Sequence, residues 1–255
     1  MGVGQQAFFL HGGPGLNAGV ERLWHGSSLP VSWWDQPAVG ACATPFASLV
    51  EAAAAQLEKM AAAAPIWLIA HSFGGQIAYA LARDRPQLIG RITLLASATD
   101  PASAILRLGR RIAQAGGSAA VAAAVAAAEA ELNAETFQAM VFAAAADAAY
   151  PGVYFGPGST AIRERFLALQ PQIPPLDLDS FLAVMQGFLQ APPLAALSGF
   201  EGRVDLIMGR HDPLATAQVD GLAWQRIFPQ ARIATLDCGH FVHLETPPAA
   251  WLQPA

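Results

Sequence analysis

Apolar residues follow two rhythms along this chain. The first is a set of short, nearly continuous runs: Ala7-Phe8-Phe9-Leu10, Val31-Ser32-Trp33-Trp34, Ile66-Trp67-Leu68-Ile69-Ala70, Arg91-Ile92-Thr93-Leu94-Leu95-Ala96, Arg203-Val204-Asp205-Leu206-Ile207-Met208 and Ala231-Arg232-Ile233-Ala234-Thr235-Leu236. Runs this short and this apolar suit parallel strands covered on both faces. The second rhythm is helical. Phe46, Leu49, Val50, Ala53, Leu57 and Met60 recur at intervals of three and four and make one apolar stripe. Thr44-Pro45 just before it predicts an N-cap followed by Pro in the first helical position. A further helix is predicted over 75–83, ending ahead of Pro86. Strands alternating with helices predict an α/β fold with a mostly parallel, doubly wound sheet.

The rhythm breaks over residues 101–198. No strand pattern occurs there. The stretch is Ala-rich at first and is then punctuated by Pro171, Pro174, Pro175, Pro192 and Pro193, while Phe181, Leu182, Met185, Phe188 and Leu189 keep helical spacing. It is expected to be a helical cap of residues 101–198, inserted into a core formed by 1–100 and 199–255.

Composition narrows the classes. Hydrophobic residues make up 54% of the chain and charged residues 13%, a balance that demands a large buried core. The net charge is −5 and Lys59 is the only lysine, so there is no basic stripe for a nucleic acid. Two cysteines, Cys42 and Cys238, are too few for a disulfide scaffold and are expected as buried thiols in a reducing cytoplasm. The first residues lack the charge and apolar length of a signal peptide, and Gln6 stands where a myristoylation signal needs Ser or Thr. The Ala-rich stretch 119–132 is interrupted by Glu129 and Glu131 and does not read as a membrane span. The expected partner is a small-molecule substrate, with neither nucleic acid nor membrane. The sequence does not specify an oligomeric state.

The candidate chemistry sits at strand ends. Ala70-His71-Ser72-Phe73-Gly74-Gly75 joins a strand to a helix through a sharp turn. Such a turn pushes a serine Oγ into the open and needs small residues two positions to either side, here Ala70 and Gly74. The N–H of Phe73 then points to where an oxyanion would form. His11-Gly12-Gly13-Pro14-Gly15 follows the first strand, and Gly13 is the expected second oxyanion donor. Asp212, in Gly209-Arg210-His211-Asp212-Pro213, can orient an imidazole from the end of the fifth strand, and Asp100 after the fourth strand is its rival. His240, in Asp237-Cys238-Gly239-His240-Phe241, follows the last strand and is the expected base. His11 and His243 are expected to be structural, and His211 to be a loop residue.

Serine, aspartate and histidine at successive strand ends, with the insertion between the first two, resemble the α/β-hydrolase superfamily. His11-Gly12-Gly13-Pro14-Gly15 and Trp34-Asp35-Gln36 are similar to its proline-iminopeptidase-like and serine esterase branch, and Gly239-His240 through Glu245-Thr246-Pro247 is similar to the superfamily's closing segment. The resemblance covers 7–97 and 203–251. Three features depart from the branch. Its elbow usually begins with Gly and carries Trp after the serine, where this chain has Ala70 and Phe73. Its Asp-Gln is followed by Arg-Gly, here by Pro37. Its first two strands are missing, so about six strands are expected, with Val31–Trp34 near an edge.

The resemblance implies a serine hydrolase of the Ser72–His240–Asp212 type, acting through an acyl-enzyme with no metal or cofactor. The apolar insertion points to an ester or thioester of a small apolar substrate. An iminopeptidase-like amidase is the second reading and a carbon–carbon bond hydrolase the third; a catalytically idle binding protein is disfavoured by the complete triad. Phe181, Met185 and Phe188 share one helix face and are the expected substrate contacts.

Overall fold

The computed structural model describes residues 6–197 and 199–252; Ser198, expected to close the insertion, the opening residues 1–5 and the last three residues of the expected core lie outside them. Strands form where the apolar runs stand: β1 (Ala7–Leu10), β2 (Val31–Trp34), β3 (Ile66–His71), β4 (Ile89–Leu95), β5 (Arg203–Gly209) and β6 (Arg232–Leu236). They make one six-stranded sheet in the order β2-β1-β3-β4-β5-β6. Every pairing is parallel, and β2 is an edge strand as expected. The chain steps from β1 to one side, then returns to the other side with β3. In open parallel sheets the crevice at such a reversal, beyond the strands' carboxyl ends, is where ligands bind.

Helices α1 (Gly19–His25), α2 (Pro45–Met60) and α3 (Gly74–Asp84) precede the insertion, and α10 (Leu222–Ile227), α11 (Val242–Glu245) and α12 (Ala249–Leu252) follow it. The continuous apolar runs now have their reason. Phe8, Leu68 and Leu206 face a core completed by Leu49, Leu57, Ile77, Trp224 and Phe228. Their neighbours Phe9, Ile69 and Ile207 face a second core completed by Val242 and Trp251. Both sheet faces are dry, so both side-chain sets must be apolar. Pro45 opens α2 as expected, but the Thr44 side chain makes no capping bond; the Thr44 carbonyl instead accepts from the Ser48 N–H (3.0 Å) and hydroxyl (3.1 Å). Cys42 also departs from expectation, because it sits on an exposed loop after β2. Cys238 is buried, and burial first, then the charges of Glu245, Asp212 and Asp237, pushes its thiol up to about 12.

Between β4 and β5 the described residues form α4 (Pro101–Gln114), α5 (Ala119–Ala130), α6 (Ala134–Ala145), α7 (Tyr150–Val153), α8 (Thr160–Leu169) and α9 (Leu178–Phe188), with no strand. Ala104, Leu108, Ile112, Val121, Val125 and Met140 give this segment an apolar cluster of its own. Side-chain caps set three of its helix starts: Asp100 accepts from Ser103 N–H ahead of α4, Asn133 from Thr136 N–H ahead of α6 and Asp177 from Ser180 N–H ahead of α9. The start of α9 is tied to the sheet's loops. Asp177 N–H donates to the Gly15 carbonyl (2.9 Å), and Ser180 Oγ accepts from Val39 N–H (2.7 Å) and Gly40 N–H (3.0 Å). Among the described residues no helix is long and apolar enough to cross a membrane.

Candidate active site

The turn between β3 and α3 is strained in the way its sequence implies. Ser72 has φ +52°, in the left-handed region that side chains avoid, a conformation that costs about 1–3 kcal/mol and persists only when its surroundings hold it. Two bonds hold it. Ser72 N–H donates to the Leu95 carbonyl (2.9 Å), and the Ser72 carbonyl accepts from Ser97 Oγ (2.8 Å). A side chain at Gly74 would stand 2.2 Å from the Leu10 carbonyl oxygen, so this position must be glycine for the turn to nest against β1. The same nesting brings the loop after β1 to the serine, since a Cβ on Gly12 would stand 2.9 Å from Ser72 Cβ. Gly13 follows at φ +60°. Among the described residues, the Gly13 and Phe73 N–H groups donate to no protein acceptor.

The expected acid and base follow the neighbouring strands β5 and β6. His240 Nδ1 lies 3.0 Å from each carboxylate oxygen of Asp212, and both side chains are buried. A carboxylate accepts there, so Nδ1 carries the proton and Nε2 presents its lone pair. Asp212 Oδ1 also accepts from Leu214 N–H (2.8 Å), which fixes the carboxylate. Among the described residues, Ser72 Oγ and His240 Nε2 have no hydrogen-bond partner. Contacts between nucleophile and base are often loose until substrate closes a site. Asp100 does not join this pair: its carboxylate is spent on Ser103 N–H (3.1 Å) and Ser103 Oγ (2.6 Å) at the start of α4.

Both loops are held by the insertion. Arg107 of α4 donates through Nε to the Leu214 carbonyl (2.9 Å) and through Nη2 to Asp220 (3.0 Å), pinning the Asp212 loop. Tyr154, just after α7, accepts the His240 N–H on its carbonyl (2.7 Å). Its half-buried phenol is pushed well above the ordinary value, by desolvation first, and donates to Tyr150 (3.1 Å). Tyr154 was not legible as a site residue, because no local pattern distinguishes it within the helical insertion.

The three expected cap contacts fall in two places. Phe181 and Met185 are buried in the insertion's own cluster, which Leu214 joins. Phe188 stands apart, with its ring edge-on to Phe73 (5.7 Å between centroids) and to Phe46 (5.0 Å).

A histidine cluster lies behind the serine. His71 Nε2 donates to the His240 carbonyl (3.0 Å), and its ring is 4.4 Å from that of His243. Burial first, then the neighbouring His243 and His240, holds His71 well below its ordinary value, so it stays neutral. His243 Nε2 pairs with Glu21 (3.1 Å). Burial raises the Glu21 carboxyl, but the hydrogen bond and charge of His243, with a smaller contribution from His11, bring it below its ordinary value. Glu21, His71 and His243 bring ligand-type atoms within 4.8 Å of one another and are the described residues best placed to close on a metal ion. Their present bonds are those of a structural network: the His71 nitrogen facing the carbonyl carries a proton. His11 is likewise engaged, by the Gly12 carbonyl (2.8 Å) and Gln36 N–H (3.3 Å), and His211 by Asp237 (2.9 Å).

The fold has many relatives among solved structures. The proline iminopeptidase-related protein of Thermus thermophilus is 22% identical, with a TM-score of 0.68, over 97% of this chain and 86% of that one. A thermophilic esterase from Thermogutta terrifontis is 16% identical, with a TM-score of 0.66, over 99% and 88%. The enol-lactonase from Burkholderia xenovorans is 18% identical, with a TM-score of 0.66, over 95% and 86%. No curated protein matches the chain. The sequence itself matches the alpha/beta hydrolase family over residues 7–253, which takes in all six strands and the whole insertion. This chain belongs to the alpha/beta hydrolase family.

Proposed function

We propose that the chain is a serine hydrolase that cleaves an ester or thioester of a small apolar substrate. The observation that carries this reading is the buried Asp212–His240 pair, made at 3.0 Å, at the same sheet end as a serine held at φ +52°. Ser72 Oγ attacks the substrate carbonyl carbon as its proton passes to His240 Nε2. The carbonyl π pair moves onto oxygen, where the Gly13 and Phe73 N–H groups receive it. The oxyanion collapses, and the alcohol or thiol leaves with the proton from His240. Water then repeats the sequence on the acyl-serine, with His240 as base, and the acid is released. Asp212 keeps the imidazole in the productive tautomer and stabilises it while charged.

The insertion, residues 101–198, serves in this reading as the cap, and Phe188, whose ring lies against that of Phe73, supports an apolar acyl group. The unpaired cysteines support a reducing compartment. The related proteins named above include an esterase and a lactonase, which supports ester-type chemistry.

The test is a substrate panel of p-nitrophenyl esters, acyl thioesters and proline naphthylamide, with wild type and Ser72→Ala. Ester or thioester turnover lost by about 10³-fold or more in the variant is expected. Preference for the naphthylamide would favour the amidase reading. Turnover that survives in Ser72→Ala would remove the serine mechanism.

A further inference from the structure

Glu245 lies outside the triad, yet three donors converge on its carboxylate. Oε2 accepts from Gly156 N–H (2.8 Å) and Ser159 Oγ (2.6 Å), both in the insertion. Gly239 N–H, next to the expected base, lies 3.0 Å from both carboxylate oxygens. The following N–H, that of His240, donates to the Tyr154 carbonyl (2.7 Å). Two consecutive amides of the His240 loop are therefore bound to segment 154–159, one directly and one through Glu245. The contact is close: a Cβ on Gly239 would stand 2.2 Å from the Tyr154 carbonyl oxygen, so no side chain fits at 239 while the segment is docked. Tyr154 and Phe155 pack on Phe241, with ring centroids 5.6 and 5.2 Å away, closing the same seam with apolar contact. Glu245 itself is at the end of the short helix α11, and its partners come from both sides of the seam.

We propose that Glu245 is a positioning residue that locks the His240 loop to the insertion, so that His240 is in register for proton transfer only while segment 154–159 is docked. The inference rests on the reading of His240 as the base. Geometry gives the reason for its size: the reacting atoms must be aligned within a fraction of an ångström, and a shift of about 1 Å can cost about 10²-fold in rate. The loop's other anchors act elsewhere: the Asp212 carboxylate orients the imidazole ring, His71 Nε2 holds the His240 carbonyl and the His211 N–H holds the Cys238 carbonyl, so the Gly239 and His240 amides are bound by Glu245 and Tyr154. A carboxylate is suited to the task because it accepts several charge-assisted bonds at once and donates none.

The experiment uses the full chain with Glu245→Gln, which puts an amide where acceptors are needed, and Ser159→Ala, which removes one donor and leaves every charge unchanged. Three quantities are read for each: kcat and KM on the best substrate of the panel, melting temperature, and hydrogen exchange of the Gly239 and His240 amides. The expected result is faster exchange at both amides in both variants, with kcat lowered by about 10- to 100-fold in Glu245→Gln, less in Ser159→Ala, and KM little changed. Should Glu245→Gln fail to fold, Ser159→Ala carries the test alone. Unchanged exchange at Gly239 and His240 overturns the proposal, as does a lowered melting temperature with unchanged kcat. The exchange readout does not depend on turnover. A wild type inactive on the whole panel would count against the hydrolase reading, while unprotected Gly239 and His240 amides in wild type would count against the latch.

Discussion

His71 Nε2 donates to the main-chain carbonyl of His240 across 3.0 Å, so the residue before the expected nucleophile supports the residue expected to activate it. Removing the imidazole with His71→Phe leaves a buried carbonyl without its donor. That loss costs about 1–3 kcal/mol and should lower the melting temperature by about 2–4 °C per kcal/mol for a chain of this size. Thermal unfolding at neutral pH measures it. A variant as stable as wild type would mean that the bond contributes nothing.

The two acids should separate cleanly. Asp212 contacts His240, whereas Asp100 caps α4 through Ser103. Asp212→Asn should lower turnover by about 10²–10⁴-fold because it favours the wrong histidine tautomer. Asp100→Asn keeps a capping side chain and should leave turnover near wild type, and Asp100→Ala should cost about 0.5–2 kcal/mol of stability. A larger rate loss from Asp100→Asn than from Asp212→Asn would reverse the assignment.

Met185 and Phe188 share a helix but not an environment. Met185 is 1% exposed within the insertion's cluster, while Phe188 lies against Phe73. Met185→Ala should destabilise the protein by about 2–5 kcal/mol with the acyl-length profile preserved. Phe188→Ala should instead change preference between short and long acyl chains, since it opens space beside an expected oxyanion donor. The measurements are chain-length series on p-nitrophenyl esters alongside melting curves. Identical profiles for wild type and Phe188→Ala would exclude that residue from the pocket.

His25 should make the fold acid-sensitive. Its ring lies between Trp33 and Trp251, with centroids 5.8 and 5.9 Å away. Burial first, then the charge of His243, lowers it from 6.5 to about 4. The unfolded chain therefore takes up this proton before the folded one does. The stabilisation from a neutral His25 is complete above 6.5 and is lost as pH falls toward about 4. His25→Gln cannot titrate, so its melting temperature should fall less than that of wild type between about pH 7.5 and about pH 4.5. Parallel curves for the two proteins would rule out His25 as a source of the acid sensitivity.

Much of the architecture was legible because it is locally encoded. A strand buried on both faces must be apolar at every position, so the runs at 66–70 and 203–208 announced β3 and β5 within a residue or so. The turn at Ser72 was equally local: a sharp strand-to-helix reversal needs small flanks, and Ala70 and Gly74 supply them. Cys42 was misjudged because thiol burial depends on what the loop after β2 packs against, and nothing packs over it.

The chain's own pattern thus determined a mostly parallel sheet of about six strands, the helical segment between the fourth and fifth, and the strand ends that carry Ser72, Asp212 and His240. Backbone period and turn chemistry are properties of consecutive residues, and a sequence displays them directly. Only the tertiary structure decided which groups touch. It paired His240 with Asp212 and left Asp100 to cap a helix; it brought Glu21 to His243 across 222 positions and Tyr154 to the His240 amide; it gathered Gly156, Ser159 and Gly239 on Glu245. Such contacts depend on how the insertion packs on the sheet and which backbones can approach closely, and residues so far apart leave no periodic trace of their meeting along the chain.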